Sequence, residues 1–165
     1  MKYGYYLILN EMEEIKNWST GFFSTINLKG RLILFNYSRL IKEVIDIIEL
    51  EKDVTKKSNL LIYFRNEELI GVKLMRKLLG GCLKYDVGYN SNDIEFAFTY
   101  LNIECKKLKE KIDNYKNGNI VYDTLTETIE RLKPFYSEEE IKEEVKHTKK
   151  ISIELIDFKN KNMML

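Results

Sequence analysis

Apolar and polar positions alternate from the first residues of the chain. Tyr3, Tyr5, Leu7 and Leu9 fall on one side of a two-residue period and Lys2, Gly4, Tyr6 and Ile8 on the other, which predicts a strand with an aromatic face. The acidic stretch Glu11 to Trp18 holds a short helical turn that Ser19-Thr20-Gly21 breaks. Phe22 to Leu28 and Arg31 to Tyr37 read as two β-rich runs around Lys29-Gly30, a hairpin near 22–37. Ser38 stands where a helix N-cap would, and Leu40, Ile41, Val44, Ile45, Ile47 and Ile48 then recur at helical spacing. Leu60 to Phe64 has the length and continuous apolarity of a strand buried on both faces. From Asn66, the residues Leu69, Ile70, Leu74, Leu78 and Leu79 predict a second helix that Gly80-Gly81 ends.

The second half repeats the mixture. Leu83, Tyr85, Val87 and Tyr89, then Ile94, Phe96, Phe98 and Tyr100, alternate around the turn cluster Asn90-Ser91-Asn92-Asp93, giving a hairpin near 83–100. A helical reading competes there, because Ile94, Ala97, Leu101, Cys105, Leu108, Ile112 and Tyr115 keep a spacing of three and four, with Asn92 and Glu95 set as a capping box. The Phe, Thr and Tyr content favours strand, with helix from Asn102 to Asn117 and Gly118 as its stop. Asp123 to Lys133 is helical in pattern, Pro134 interrupts it, and Ser137 with Glu140 restarts a helix through a capping box. Ile151 to Leu155 alternates again as a last strand. Together these elements predict one compact α+β domain over residues 1–165, a mostly antiparallel sheet packed with four or five helices.

Composition changes how far each pattern can be trusted. The chain has one Ala (Ala97), one Pro (Pro134), one His (His147) and no Gln, and it is rich in Ile, Lys, Asn, Tyr and Phe. The favoured residues have AT-rich codons, so abundance reports the genome before it reports chemistry. A hydrophobic fraction of 44% with 32% charged residues is that of a globular chain. No apolar run is long enough to span a bilayer, and Leu7-Ile8-Leu9 gives way at once to Asn10-Glu11, so the N-terminus is read as structure rather than a leader. Cys82 and Cys105 read as free thiols of a reducing, cytoplasmic setting (a host cytoplasm if the gene is viral). A formal charge of +1 argues against general attraction to nucleic acid.

Reactive patterns are sparse. His147 is expected at the end of the acidic helix, without a nucleophile beside it, and reads as a partner of that helix's negative end. Cys82, Cys105 and His147 match no zinc spacing, and Gly80-Gly81 lacks the Lys-Ser/Thr of a phosphate loop, so no metal, cofactor or catalytic residue is assigned. Glu104-Cys105-Lys106, with Asp86 or Asp93 upstream, has the form of a metal-dependent nuclease site. Glu-x-Lys also occurs at Glu14, Glu140 and Glu144, close to what this much Glu and Lys gives by chance. Residues 60–84 resemble part of the C-terminal domain of the bacterial ribosomal stalk protein; the rest of the chain does not match that domain, and no residue role is carried over.

Two binding readings remain. Tyr85, Tyr89, Asn90 and Asn92 combine aromatic and amide groups in a turn, chemistry suited to gripping another protein. Lys73, Arg76 and Lys77 on one helix, with Lys106 and Lys107 on the next, offer phosphate contacts for nucleic acid. The first reading leads: a non-enzymatic cytoplasmic protein of unassigned oligomeric state. It would act as an inhibitor or immunity protein of phage or mobile-element type, covering a surface of a nuclease or toxin. A nucleic-acid-binding module and a carboxylate-metal nuclease are its alternatives.

Overall fold

The structure is a computed structural model that describes residues 5–19, 28–83 and 91–163, with side chains described over 5–19, 28–78 and 94–151. Among the described residues every regular element is an α-helix: α1 (Tyr5–Trp18), α2 (Leu28–Leu50), α3 (Val54–Tyr63), α4 (Arg65–Leu83), α5 (Ser91–Lys116), α6 (Leu125–Leu132) and α7 (Glu138–Met163). The α+β reading with its mostly antiparallel sheet is therefore overturned. None of these helices is long and apolar enough to cross a membrane.

Four helices close a ring. α1 packs on α2 and α4, and α5 packs on the same two from the other side. α3 bridges this ring to α7, and α6 lies on α4. Lys77 of α4 lies over Phe96 of α5, while Glu67 meets Lys111, so the two long helices run antiparallel.

Each misread strand has the same physical explanation. Where nearly every residue is apolar, alternation is found whether or not it is used; burial shows which period the fold uses. In α1 the buried residues are Ile8, Leu9, Met12 and Ile15, at helical spacing, while Tyr6 stays 71% exposed. In α2 the buried face runs Leu34, Tyr37, Leu40, Ile41, Val44, Ile45 and Ile48, so Arg31 to Tyr37 continues the helix, and Leu32 and Phe35 face outward. Residues 22–27 of the expected first hairpin lie outside the described residues. Leu60, Leu61, Tyr63 and Phe64 are all buried because α3 is packed between neighbours, which a short apolar run cannot distinguish from a buried strand.

For the hairpin near 83–100, residues 84–90 lie outside the described set, and 91–100 form the first turns of α5. The helical alternative wins there: Ala97, Leu101, Cys105, Leu108 and Ile112 are buried on one face, and Ile94 and Tyr115 pack against it. Ile151 to Leu155 belongs to α7, with Ile151 buried.

Local stop and start signals divide: α4 continues through Gly80-Gly81 to Leu83, so those glycines do not end it, whereas Gly118 and Ser137 act as expected. Gly118 takes φ of 74°, and the amides of Gly118 and Asn119 donate to Tyr115 and Asn114, closing α5 with a left-handed glycine. Ser137 and Glu140 form the expected capping box before α7, at 2.9 and 3.2 Å. Ser38 is no N-cap. It sits inside α2, and its hydroxyl donates to the Lys16 carbonyl at the end of α1.

α1, α2 and α4 meet most closely at Gly71. A Cβ there would lie 2.6 Å from the Tyr37 hydroxyl and 2.9 Å from Ile15 Cδ1. Gly71→Ala is expected to destabilise the protein by about 1–3 kcal/mol, the usual range for overfilling a packed core. Tyr37→Phe removes the obstructing hydroxyl, which makes no hydrogen bond among the described residues. It should restore part of the loss in the double variant, as read from urea unfolding of the wild type, both single variants and the double.

Candidate functional site

α4 begins with Arg65, Asn66, Glu67 and Glu68, four polar residues that are all buried. α3 ends at Tyr63 and Phe64 caps it, so α4 starts immediately and projects this polar turn into the interior. α5 contributes Glu104 and Lys111, which sit on its buried face beside Cys105 and Ile112. The segment after α5 brings Asp123, and α6 brings Arg131.

These groups form one network. Arg131 holds both Glu104 oxygens at 3.0 Å, Glu67 at 2.6 Å and Asp123 at 3.1 Å. Lys111 reaches Glu67 at 3.2 Å and Asp123 at 3.0 Å, and it donates to the Tyr63 carbonyl at 2.7 Å. The Tyr63 hydroxyl returns a bond to the Lys111 carbonyl at 2.9 Å, and its ring lies under the ammonium. Asn66 donates to Asp123 and to Thr128, tying α4 to the start of α6. A second cluster adjoins it: Arg65 pairs with Glu68 and, at 2.9 Å, with Glu144 of α7.

Burial and charge set the protonation of these groups. Burial, opposed by Arg131 and reinforced by Glu67, pushes the Glu104 carboxyl up to about 7 from the ordinary 4.5. Asp123 moves the other way, because Lys111, Asn66 and Arg131 together outweigh its burial. Burial also raises Glu68 well above the carboxylate range, against the pull of Arg65. Three carboxylates around two cations leave one negative charge in excess, which is the electrostatic reason a proton is retained more readily at Glu104 than on a free carboxylate.

Above this network lies a groove of about 300 Å³ between α3, α6 and α7, lined by Ile62, Arg65, Tyr122, Leu125, Val145 and Lys149 among others. Asn66, Asp123, Thr128 and Thr148 give its floor a polar character. Beside it the chain exposes large apolar groups: Ile120, Val121 and Tyr122 in the segment before α6, and Leu125 and Ile129 on α6. Tyr122 and Leu125 share the groove, and Leu125 and Ile129 are one helical turn apart on α6. Tyr122 packs edge-on against Tyr63, and a capping box of Thr124 and Glu127 fixes the start of α6.

The residues proposed from sequence do not assemble into this site. Tyr85, Tyr89 and Asn90 lie outside the described residues, and Asn92 is described only as backbone in α5. Lys73 faces Glu140 at 3.9 Å and the Tyr136 ring, Lys77 lies over Phe96, and Arg76 is exposed. Lys106 and Lys107 are exposed on α5, nearer the Glu67 end of the antiparallel pair. Within Glu104-Cys105-Lys106, Glu104 turns inward to Arg131 while Lys106 faces solvent; the side chains of Asp86 and Asp93 lie outside the described set. Among the described residues no three His, Cys, Asp or Glu side chains are arranged to hold a metal ion. Cys105 is a free buried thiol, pushed up to about 11 by burial and so protonated at neutral pH. His147 lies within α7 rather than at its end, near Glu143 at 3.5 Å and Glu144 at 3.8 Å.

Removing one member of a buried ion network strands the others. Arg131→Met is expected to cost about 3–5 kcal/mol in urea unfolding. The folded chain keeps a proton on Glu104 that the unfolded chain releases between about pH 4.5 and 7, so this group's contribution to stability falls as pH rises through that window. Glu104→Gln cannot lose a proton, and should reduce the fall in unfolding midpoint between about pH 5 and about pH 8.

No family model, curated protein or solved structure matches this chain.

Proposed function

We propose that this chain is a non-enzymatic protein-binding module that engages its partner through the α6 patch and the adjoining groove. One observation carries the reading: Ile120, Val121, Tyr122, Leu125 and Ile129 stand 39–65% exposed within ten residues, on a segment tied down from beneath by Asp123 and Arg131. A soluble chain rarely leaves so concentrated an apolar surface uncovered unless something binds there. The surface is also preformed, which lowers the ordering cost of association. The wider reading, an inhibitor or immunity protein that covers a working surface of a nuclease or toxin in a cytoplasmic setting, is supported by chain size, composition and the free thiol of Cys105. An aromatic sheet edge plays no part in it, since no strand occurs among the described residues.

Nucleic-acid binding through Lys73, Arg76, Lys77, Lys106 and Lys107 is the weaker reading. Lys73 and Lys77 are already engaged by Glu140, Tyr136 and Phe96, which reduces what they offer to phosphate.

Tagged protein purified from its native host is expected to bring down a stoichiometric protein. Leu125→Asp with Ile129→Asp changes two exposed positions, so the helical circular dichroism should be kept while partner recovery falls by about tenfold or more. Recovery of nucleic acid alone, or undiminished capture by the double variant, overturns the proposal.

A further inference from the structure

The run that joins α5 to α6 is fixed at both ends. The left-handed Gly118 closes α5, and the Thr124–Glu127 capping box opens α6. Between them residues 119–124 pass without a turn or bend. The outer amides are taken, that of Asn119 by the Asn114 carbonyl at 2.8 Å and that of Thr124 by the Glu127 carboxylate at 3.2 Å. Among the described residues, the main-chain groups of Ile120, Val121 and Tyr122 make no hydrogen bond within the chain. The three residues are 39%, 65% and 43% exposed. Turns and loops that stay in water are ordinarily built from Gly, Pro, Asn, Asp and Ser. This run is β-branched and aromatic at its centre. Residues 117–122 also carry no charge and no proline, the features that commonly keep an exposed strand edge from pairing.

A partner that covers Ile120 to Tyr122 takes their amides and carbonyls out of water together with the side chains. Left unpaired, those groups would oppose binding. A helix cannot replace the lost hydrogen bonds with its own main chain, which is already paired internally. An extended segment can, because its donors and acceptors recur at strand spacing. Resting on the protein-binding reading above, we infer that residues 120–122 receive an extended segment of the partner, paired main chain to main chain as an added β-strand. The caps at either end, and Asp123 held by Lys111 and Arg131, keep this edge in place before anything binds.

The test uses fluorescent peptides of about nine residues, alternating Val and Ser between terminal lysines, read by anisotropy against the full chain. Two further versions are N-methylated at alternate residues, one on the odd set and one on the even. A strand turns only every second amide towards a given neighbour. One methylated version is therefore expected to bind about tenfold or more weaker than the parent, and the other within about twofold of it. Val121→Pro removes an amide that has no partner within the chain, and no residue of this run but Gly118 has positive φ. It should keep the helical circular dichroism and weaken the parent peptide by about tenfold or more. A peptide of about 20 residues with leucines at helical spacing is expected to bind more weakly than the parent. Equal effects of the two methylated versions, undiminished binding to the proline variant, tighter binding of the helical peptide, or no binding of the parent overturns the inference. So does a dimer of the full chain, seen by light scattering, that Val121→Pro dissolves, since the edge then belongs to a second copy. Should the proline variant lose its fold, the two methylated versions still decide on the unaltered chain. If a host protein is captured in a Leu125-dependent way by the proline variant as well, the protein-binding reading stands and this assignment falls alone.

Discussion

Four parts of the chain meet at one guanidinium. Arg131 of α6 gathers Glu67 of α4, Glu104 of α5 and Asp123 from the segment between α5 and α6. An ammonium in its place could not hold both oxygens of Glu104 while reaching two further carboxylates, because only the planar fork presents donors in fixed, divergent directions. The network does not have to be a large net source of stability. Taking these charges out of water costs about as much as their attraction returns. What it does secure is position: α6 can lie on α4 in only one place that leaves no buried charge unmatched, and the apolar segment before α6 is located by the same bonds.

The helical fold was harder to read than its periodicity warranted, and composition is the reason. With one Ala and no Gln, the chain builds helices from Ile, Tyr, Phe, Asn and Lys, residues that propensity assigns to strands, turns or exposed faces. Propensity then favours strand at Phe96, Phe98 and Tyr100, whereas spacing from Ala97 through Leu101, Cys105, Leu108 and Ile112 favours helix; burial follows the spacing. At Leu60 to Phe64 no spacing could decide, since every position is apolar and four of the five are buried. Gly118 and the Ser137–Glu140 box were legible from one or two residues, whereas Gly80-Gly81 and Ser38 lie inside helices and mark no end. A residue chosen for a local backbone need is less open to dilution by codon bias than a residue chosen for bulk.

Part of the site was legible and went unread. Glu104 and Lys111 occupy interior positions of the same helical face as Leu101, Cys105, Leu108 and Ile112, and a charge on a buried stripe requires a partner. Thr124 with Glu127 announces the start of α6 as clearly as Ser137 announces α7. The partners themselves were not legible, because Glu67 and Arg131 are 64 positions apart and meet only through the packing of α6 on α4. Lysine and tyrosine are abundant in this chain, and abundance is the feature least tied to position.

Glu67, Glu104 and Asp123 are drawn towards one another by the chain's own cations, Lys111 and Arg131, which lie between them. Three acids share two cations there, and burial raises Glu104 towards neutral pH, so the excess negative charge of the set is smallest on the acid side of neutrality. Exposed charge lies outside that set, as at Lys106, Lys107 and Lys149, where water and salt reach it. The two populations obey different physics: the buried set is poorly screened and fixes structure, while the exposed lysines are screened within about 8 Å at physiological salt and act only at short range.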